Sequence, residues 1–83
     1  MGNKKNIKRA DMEHPLKFED LQYSMVMFDS FDNSIVRVVN IFQHCSIFMG
    51  DRAVEYADKK METWLTRWED NRFYPLKKNR QIK

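Results

Sequence analysis

Apolar positions along the chain fall into three runs, and polar, turn-forming residues separate them. The first run, residues 21–28, reads Leu-Gln-Tyr-Ser-Met-Val-Met-Phe. With a period of two, Leu21, Tyr23, Met25 and Met27 share one face, while Gln22 and Ser24 take the other. Asp29, Ser30, Asp32, Asn33 and Ser34 follow, a cluster whose short polar side chains bond to nearby backbone and favour a turn. The second run, residues 34–42, holds Ile35, Val36, Val38, Val39 and Ile41. Such β-branched residues are stiff at χ1 and suit a pleated surface. The pattern predicts a β-hairpin with a loop of about four to six residues, longer than the two-residue type. A helical reading competes, because Leu21, Met25, Phe28, Ile35, Val39 and Phe42 also fall near three- and four-residue spacings.

The third run predicts an amphipathic helix over residues 51–70. Ala53, Ala57, Met61, Trp64, Leu65 and Trp68 recur at helical spacing, with Arg52, Glu55, Asp58, Lys59, Glu62 and Arg67 on the other side. Asp51 after Gly50 suits an N-cap, and Glu55 with Lys59 forms a correctly oriented i,i+4 pair. A start at Ser46 is the variant of this reading, with Gly50 inside the helix at a cost of about 1 kcal/mol. Asn71 and Pro75 supply a stop, and residues 72–76 add a short edge strand or pack on the helix end. The expected fold is α+β: a small antiparallel hairpin covered by one C-terminal helix, with an all-α helical hairpin as the alternative. Its open sheet edges would be available to another copy or to a different protein.

Flanking sequence lacks this patterning. Residues 1–14 read as a basic arm ending at His14-Pro15, residues 15–76 as one small domain, and residues 77–83 as a basic tail. A core of this size is near the lower limit for autonomous folding, so dimerisation or a partner would add needed stability. A lone cysteine, Cys45, excludes an internal disulfide framework and fits a reducing, cytoplasmic setting. The richest apolar window, residues 35–49, is interrupted by Arg37, Asn40, Gln43 and His44, so no membrane span is expected. Met1-Gly2 invites a myristoylation reading, but Asn6 stands where that consensus has Ser or Thr.

Charge changes the picture more than composition does. The net charge is +3. Lys4, Lys5, Lys8 and Arg9 lie in residues 1–10, and Arg72, Lys77, Lys78, Arg80 and Lys83 in residues 72–83, with no acid in either segment. All twelve carboxylates fall between them. Two basic segments on an acidic body favour localised contact with a polyanion over uniform coating. Phe73 and Tyr74 beside Arg72 are the ingredients of a stacking platform for single-stranded nucleic acid. The expected nucleic-acid contacts are therefore Lys4, Lys5, Lys8, Arg9, Arg72, Phe73, Tyr74, Lys77, Lys78, Arg80 and Lys83. RNA is favoured over DNA, since no helix rich in base-reading Arg, Asn and Gln is visible.

Candidate chemistry beyond charge is sparse. His44 and Cys45 are adjacent and His14 is distant, a set without the spacing of a structural zinc site or a Cys–His nucleophile. Glu19-Asp20 and Glu69-Asp70 are neighbours without a hydrolase or metal-nuclease pattern. No catalytic residue, metal or cofactor is expected. On the expected helix Asp51, Glu55, Asp58 and Glu62 form an acidic stripe, read as a solvated face or as a docking surface for a basic partner. Trp64 and Trp68 are expected in the core. Together these readings imply a non-enzymatic accessory protein that contacts RNA through its termini and docks on a protein partner. Its concrete version is a phage-type inhibitor or antitoxin-like factor acting on a nuclease or nucleoprotein. The alternative is a purely protein-binding or homodimeric module whose tails only aid solubility. No small-molecule substrate is expected.

Overall fold

Twelve consecutive residues of extended chain, Ser34–Cys45, organise the molecule. This strand is three times the length of the one before it, so most of it must find a partner elsewhere. A computed structural model describes residues 9–77 and shows where that partner comes from. β1 (Val26–Asp29), β2 (Ser34–Cys45), β3 (Asp51–Ala57), β4 (Thr63–Arg67) and β5 (Phe73–Tyr74) form one antiparallel sheet in the order β4-β3-β2-β1-β5.

The β1–β2 hairpin pairs Val26 with Arg37 and Asp29 with Ser34, leaving the four residues 30–33 as its loop. The strand face expected from Leu21 onward is not formed, because β1 starts at Val26 and Tyr23 is exposed in a turn. The expected helix over residues 51–70, the all-α alternative with it, is replaced by the β3–β4 hairpin, and no helix of seven or more residues occurs among the described residues. The reason is pairing demand. β1 covers one edge of β2 and only as far as Arg37, so the opposite edge of this long strand would lie unpaired along its length unless β3 lay alongside it, from Arg37–Ala57 to Cys45–Asp51. Val54 and Tyr56 satisfy a period of two on the core side of β3, and both are buried. Turn chemistry then stops the strand at residue 58. Asp58 Oδ1 accepts the amides of Lys60 and Glu62 at 2.9 and 3.0 Å, and Met61 takes a left-handed φ of 68°. The β2–β3 connection is a 3-10 turn, Ser46–Phe48, closed by Met49 at φ 59° and Gly50 at φ 90°, a conformation for which glycine carries no Cβ penalty.

Two register shifts on β2, one between Val38 and Asn40 and one between Phe42 and Cys45, mark bulges that increase twist and bend the strand. The sheet curls accordingly. One guanidinium, that of Arg72, reaches Asp29 on β1, Tyr56 on β3 and Thr66 on β4, which brings opposite sides of the sheet within a single side chain's span. On the concave side Met27, Val36, Val38, Val54, Tyr56 and Phe73 form the core, closed by Leu16, Phe18, Leu21 and Trp68 from the connecting segments. Rings continue through it: Phe18 meets Trp68 edge-on at 5.7 Å, Trp68 stacks on Phe73 at 5.4 Å, and Tyr56 meets Phe73 edge-on at 5.6 Å. Each fully buried large side chain contributes about 1.5–3 kcal/mol, so this cluster supplies much of the driving force for so short a chain. Trp68 is therefore core as expected, whereas Trp64 is 52 % exposed.

Candidate nucleic-acid interface

The two ends of the described residues run together. Residues 9–11 lie antiparallel to residues 75–77: Lys77 N–H donates to the Arg9 carbonyl at 2.7 Å, Asp11 N–H to the Pro75 carbonyl at 2.8 Å, and Ala10 bridges Leu76. Further along, Leu16 N–H donates to the Phe73 carbonyl at 2.8 Å, so the N-terminal segment also covers the outer side of β5. Arg9 and Lys77 are exposed at the point where the described chain ends on both sides. In sequence they continue into Lys4, Lys5 and Lys8 on one side and Lys78, Arg80 and Lys83 on the other, six expected contacts that lie outside the described residues.

Asp11 stands at the foot of this cluster. A hydrogen bond with His14 Nδ1 at 2.8 Å holds its carboxyl below the ordinary aspartate range against a small burial effect, and the positive field of Lys77 adds to the lowering. Asp11 lies two residues beyond Arg9.

Arg72 belongs to a different place. Its Nε and Nη2 donate to Oδ1 and Oδ2 of Asp29 at 2.9 and 3.0 Å in a two-point fork, Nη2 also donates to Tyr56 Oη at 2.9 Å, and Nη1 donates to Thr66 Oγ1 at 3.2 Å and Glu69 Oε1 at 3.3 Å. The Arg72 side chain is 10 % exposed and that of Asp29 1 %. Burial would lower the pKa of the guanidinium, but the bonds and charge of Asp29 outweigh it and raise the pKa, so Arg72 stays a fixed cation. Phe73 has 0 % exposure. Neither residue offers a free surface to phosphate or base, which corrects their sequence assignment: the polar fork and the ring are both consumed by the core. Tyr74 faces the other side of the sheet, opposite Phe28, half-buried and donating to the Asn71 carbonyl at 3.1 Å.

The acidic stripe is corrected along with the helix that carried it. Asp51 and Glu55 share the outer face of β3, where Asp51 pairs with Arg67 at 3.3 Å and Glu55 accepts from Asn40 Nδ2 at 2.8 Å. Asp58 and Glu62 lie in the β3–β4 turn. Asp58 is slightly disfavoured as an anion by burial, yet the Trp64 indole N–H at 3.3 Å and the Glu62 and Lys60 amides lower its pKa. It shapes the turn; it does not stand free to dock. Cys45 is a buried free thiol and His44 is exposed beside it, as the alternation of a strand requires. Among the described residues no group of three or more His, Cys, Asp or Glu is placed to hold a metal ion, and no helix is long and apolar enough to cross a membrane.

Sequence reasoning missed the recess at the open end of the concave face. Phe31, Asp32 and Ser34 from the β1–β2 hairpin, Val36 from β2, Tyr56 from β3, Asp58 from the turn and Trp64 from β4 line about 210 Å³. Its rings come from three separate segments, so no local motif announces it. Comparison with known proteins adds no relative to this picture: no family model, no curated protein and no solved structure matches the chain.

Proposed function

We propose that this protein acts without catalysis as a nucleic-acid-contacting module, binding RNA or another single strand through two basic segments whose described residues, Arg9 and Lys77, lie side by side. The pairing of residues 9–11 with 75–77 carries the reading. Segments of +4 and +4 join the described fold at adjacent points, Arg9 and Lys77, while the acidic body discourages the strand from wrapping elsewhere. Arg72 is withdrawn from the count by Asp29, so the cations that serve are Lys4, Lys5, Lys8, Arg9, Lys77, Lys78, Arg80 and Lys83. Contacts of this kind are made to phosphate, so sequence preference is weak and salt sensitivity strong. Tyr74, immediately before the paired end, is the ring available to add stacking.

Fluorescence anisotropy with a labelled single-stranded RNA tests this. Replacing the four basic residues of either segment by Gln weakens binding, and replacing all eight abolishes it at moderate salt while leaving the denaturation midpoint unchanged. Unaltered affinity in the eight-residue variant contradicts the proposal.

A second reading, protein docking by strand addition, rests on the β4 edge. Asp58 N–H bonds to the Glu62 carbonyl and Trp68 N–H to the Arg52 carbonyl, which fixes even-numbered residues of β4 as those bonded to β3. The backbone groups of Thr63 and Leu65 therefore point outward, as a strand-shaped partner requires. This surface is separate from the paired ends, so the docking partner of an accessory factor and an RNA strand would not compete for it.

A further inference from the structure

The recess between Phe31, Tyr56 and Trp64 has the make-up of a receptor for an organic cation. Three aromatic side chains present it, two carboxylates border it, and no lysine or arginine lines it. Aromatic faces attract cations through the ring quadrupole, and sets of rings around a quaternary ammonium are the strongest functional use of that attraction. Phe31 is 79 % and Trp64 52 % exposed, so both rings can be reached from solvent.

Each ring is held in place before any ligand arrives. The Trp64 indole N–H donates to Asp58 Oδ2 at 3.3 Å. Tyr56 Oη accepts from Arg72 at 2.9 Å. The Arg72 guanidinium lies 4.9 Å from the Phe31 ring centre, covering one face and leaving the exposed ring its other, while Phe31 N–H is fixed by Asp29 Oδ1 at 2.9 Å. The buried Asp29–Arg72 pair is thus the foundation of the recess, and because Asp29 balances Arg72, Asp58, whose bonds come from neutral donors, keeps a negative field at the recess.

The hydrogen bonds also select the kind of cation. Asp58 Oδ1 already accepts two backbone amides and Oδ2 the indole, and Asp32 Oδ1 accepts Ser34 Oγ at 2.6 Å. Asp58, with three of its roughly four acceptor sites taken, therefore supplies field more than vacant acceptors. A primary ammonium entering here gives up water without replacing its three donors' bonds. A quaternary ammonium has no donors to satisfy and needs only charge and π faces. A volume of about 210 Å³ admits a compact head group. A neighbouring phosphate, as in a choline lipid head group, would face Asp32 and Asp58 and be repelled.

We infer that the recess bounded by Phe31, Tyr56 and Trp64 binds a quaternary ammonium group carried without an adjoining anion, the chemistry of a trimethylated lysine side chain on a partner polypeptide. The inference is independent of the RNA reading, since none of these residues belongs to the paired ends.

Titrating the full-length protein with Nα-acetyl-trimethyllysine amide, while following the Trp64 indole N–H resonance, tests it. Expected is saturable binding at least tenfold tighter than for the unmethylated lysine amide and for the carbon isostere with a tert-butyl head. Phosphocholine is expected to bind more weakly than trimethyllysine. Trp64→Ala abolishes the binding, and Trp64→Phe, which keeps a ring but not its bond to Asp58, weakens it several-fold. Circular dichroism of both variants verifies that the sheet persists, and Phe31→Ala, at a loop position outside the core, provides an independent variant that also weakens binding. Equal affinity for the carbon isostere or for lysine overturns the inference, as does the absence of saturable shifts. Tighter binding of phosphocholine overturns the assignment to a side chain without an adjoining anion.

Discussion

Arg72 and Lys77 lie five residues apart in the same basic stretch, yet the fold uses their charges in opposite ways. Arg72 turns inward, gives a two-point fork to Asp29 and adds bonds to Tyr56, Thr66 and Glu69. Lys77 stays exposed where its backbone meets that of Arg9. A planar guanidinium can satisfy several acceptors at once and so can be buried at a tolerable cost, whereas an ammonium on a flexible stem is best left in water. Positive charge at the C-terminal end is therefore used in two ways: Arg72 fastens the curled sheet, and Lys77 faces outward.

The sharpest way to break that comparison is to remove the anion beneath Arg72. Asp29→Ala leaves a buried guanidinium without its main partner, and the expected cost is about 3–5 kcal/mol. That is a large part of the ~5–15 kcal/mol available to an ordinary domain, so chemical denaturation should show a partly or fully unfolded protein. The double variant Asp29→Leu with Arg72→Met should be more stable than Asp29→Ala, because apolar groups of similar size need no counterion. Arg72→Ala distinguishes the two roles directly. It should lower the urea midpoint strongly, while in conditions where it remains folded its RNA affinity should match the parent.

At the other region the expected effects are on binding. Lys77→Gln with Arg9→Gln should reduce RNA affinity several-fold at low salt and shift the denaturation midpoint by less than about 0.5 kcal/mol equivalent, as for surface substitutions generally. Unfolding of this variant would mean that the paired ends are structural in the way Arg72 is.

A smaller effect concerns Asp58, whose folded pKa lies below the ordinary aspartate value of 3.8. A lowered carboxyl pKa adds stability above the unfolded value, and that stability is lost as pH falls through the folded one. Trp64 fluorescence should therefore be constant above about pH 5 and change as acid protonates Asp58 and releases the indole. Asp58→Asn should remove that transition, and a transition that persists unchanged would assign it to another group.

The two regions also differ in how visible they were in the sequence. The segregation of basic residues at the ends needed only counting, and the β1–β2 hairpin followed from β-branched density around the Asp29–Ser34 cluster. The identity of Arg72 as a core residue was hidden because its partner is 43 positions away. The supposed helix over residues 51–70 failed for a similar reason. Ala53, Ala57, Met61, Trp64 and Trp68 do recur at helical spacing, but the unpaired length of β2 decides the matter and lies outside that window. The turn itself had a local signal, Asp58 followed by Lys59 and Lys60 between stretches containing Val54, Tyr56, Thr63 and Thr66. The aromatic recess had none, since Phe31, Tyr56 and Trp64 converge only once the sheet curls.

The most direct test of the terminal basic segments is the salt dependence of single-stranded RNA binding by the full chain. With the eight terminal cations engaged, the logarithm of affinity should fall linearly with the logarithm of salt, at roughly 0.7 per phosphate neutralised and so with a slope of up to about −5 to −6. Replacing either basic segment by Gln should reduce that slope by about half. A slope near zero, or one that neither segment's replacement alters, would contradict the account.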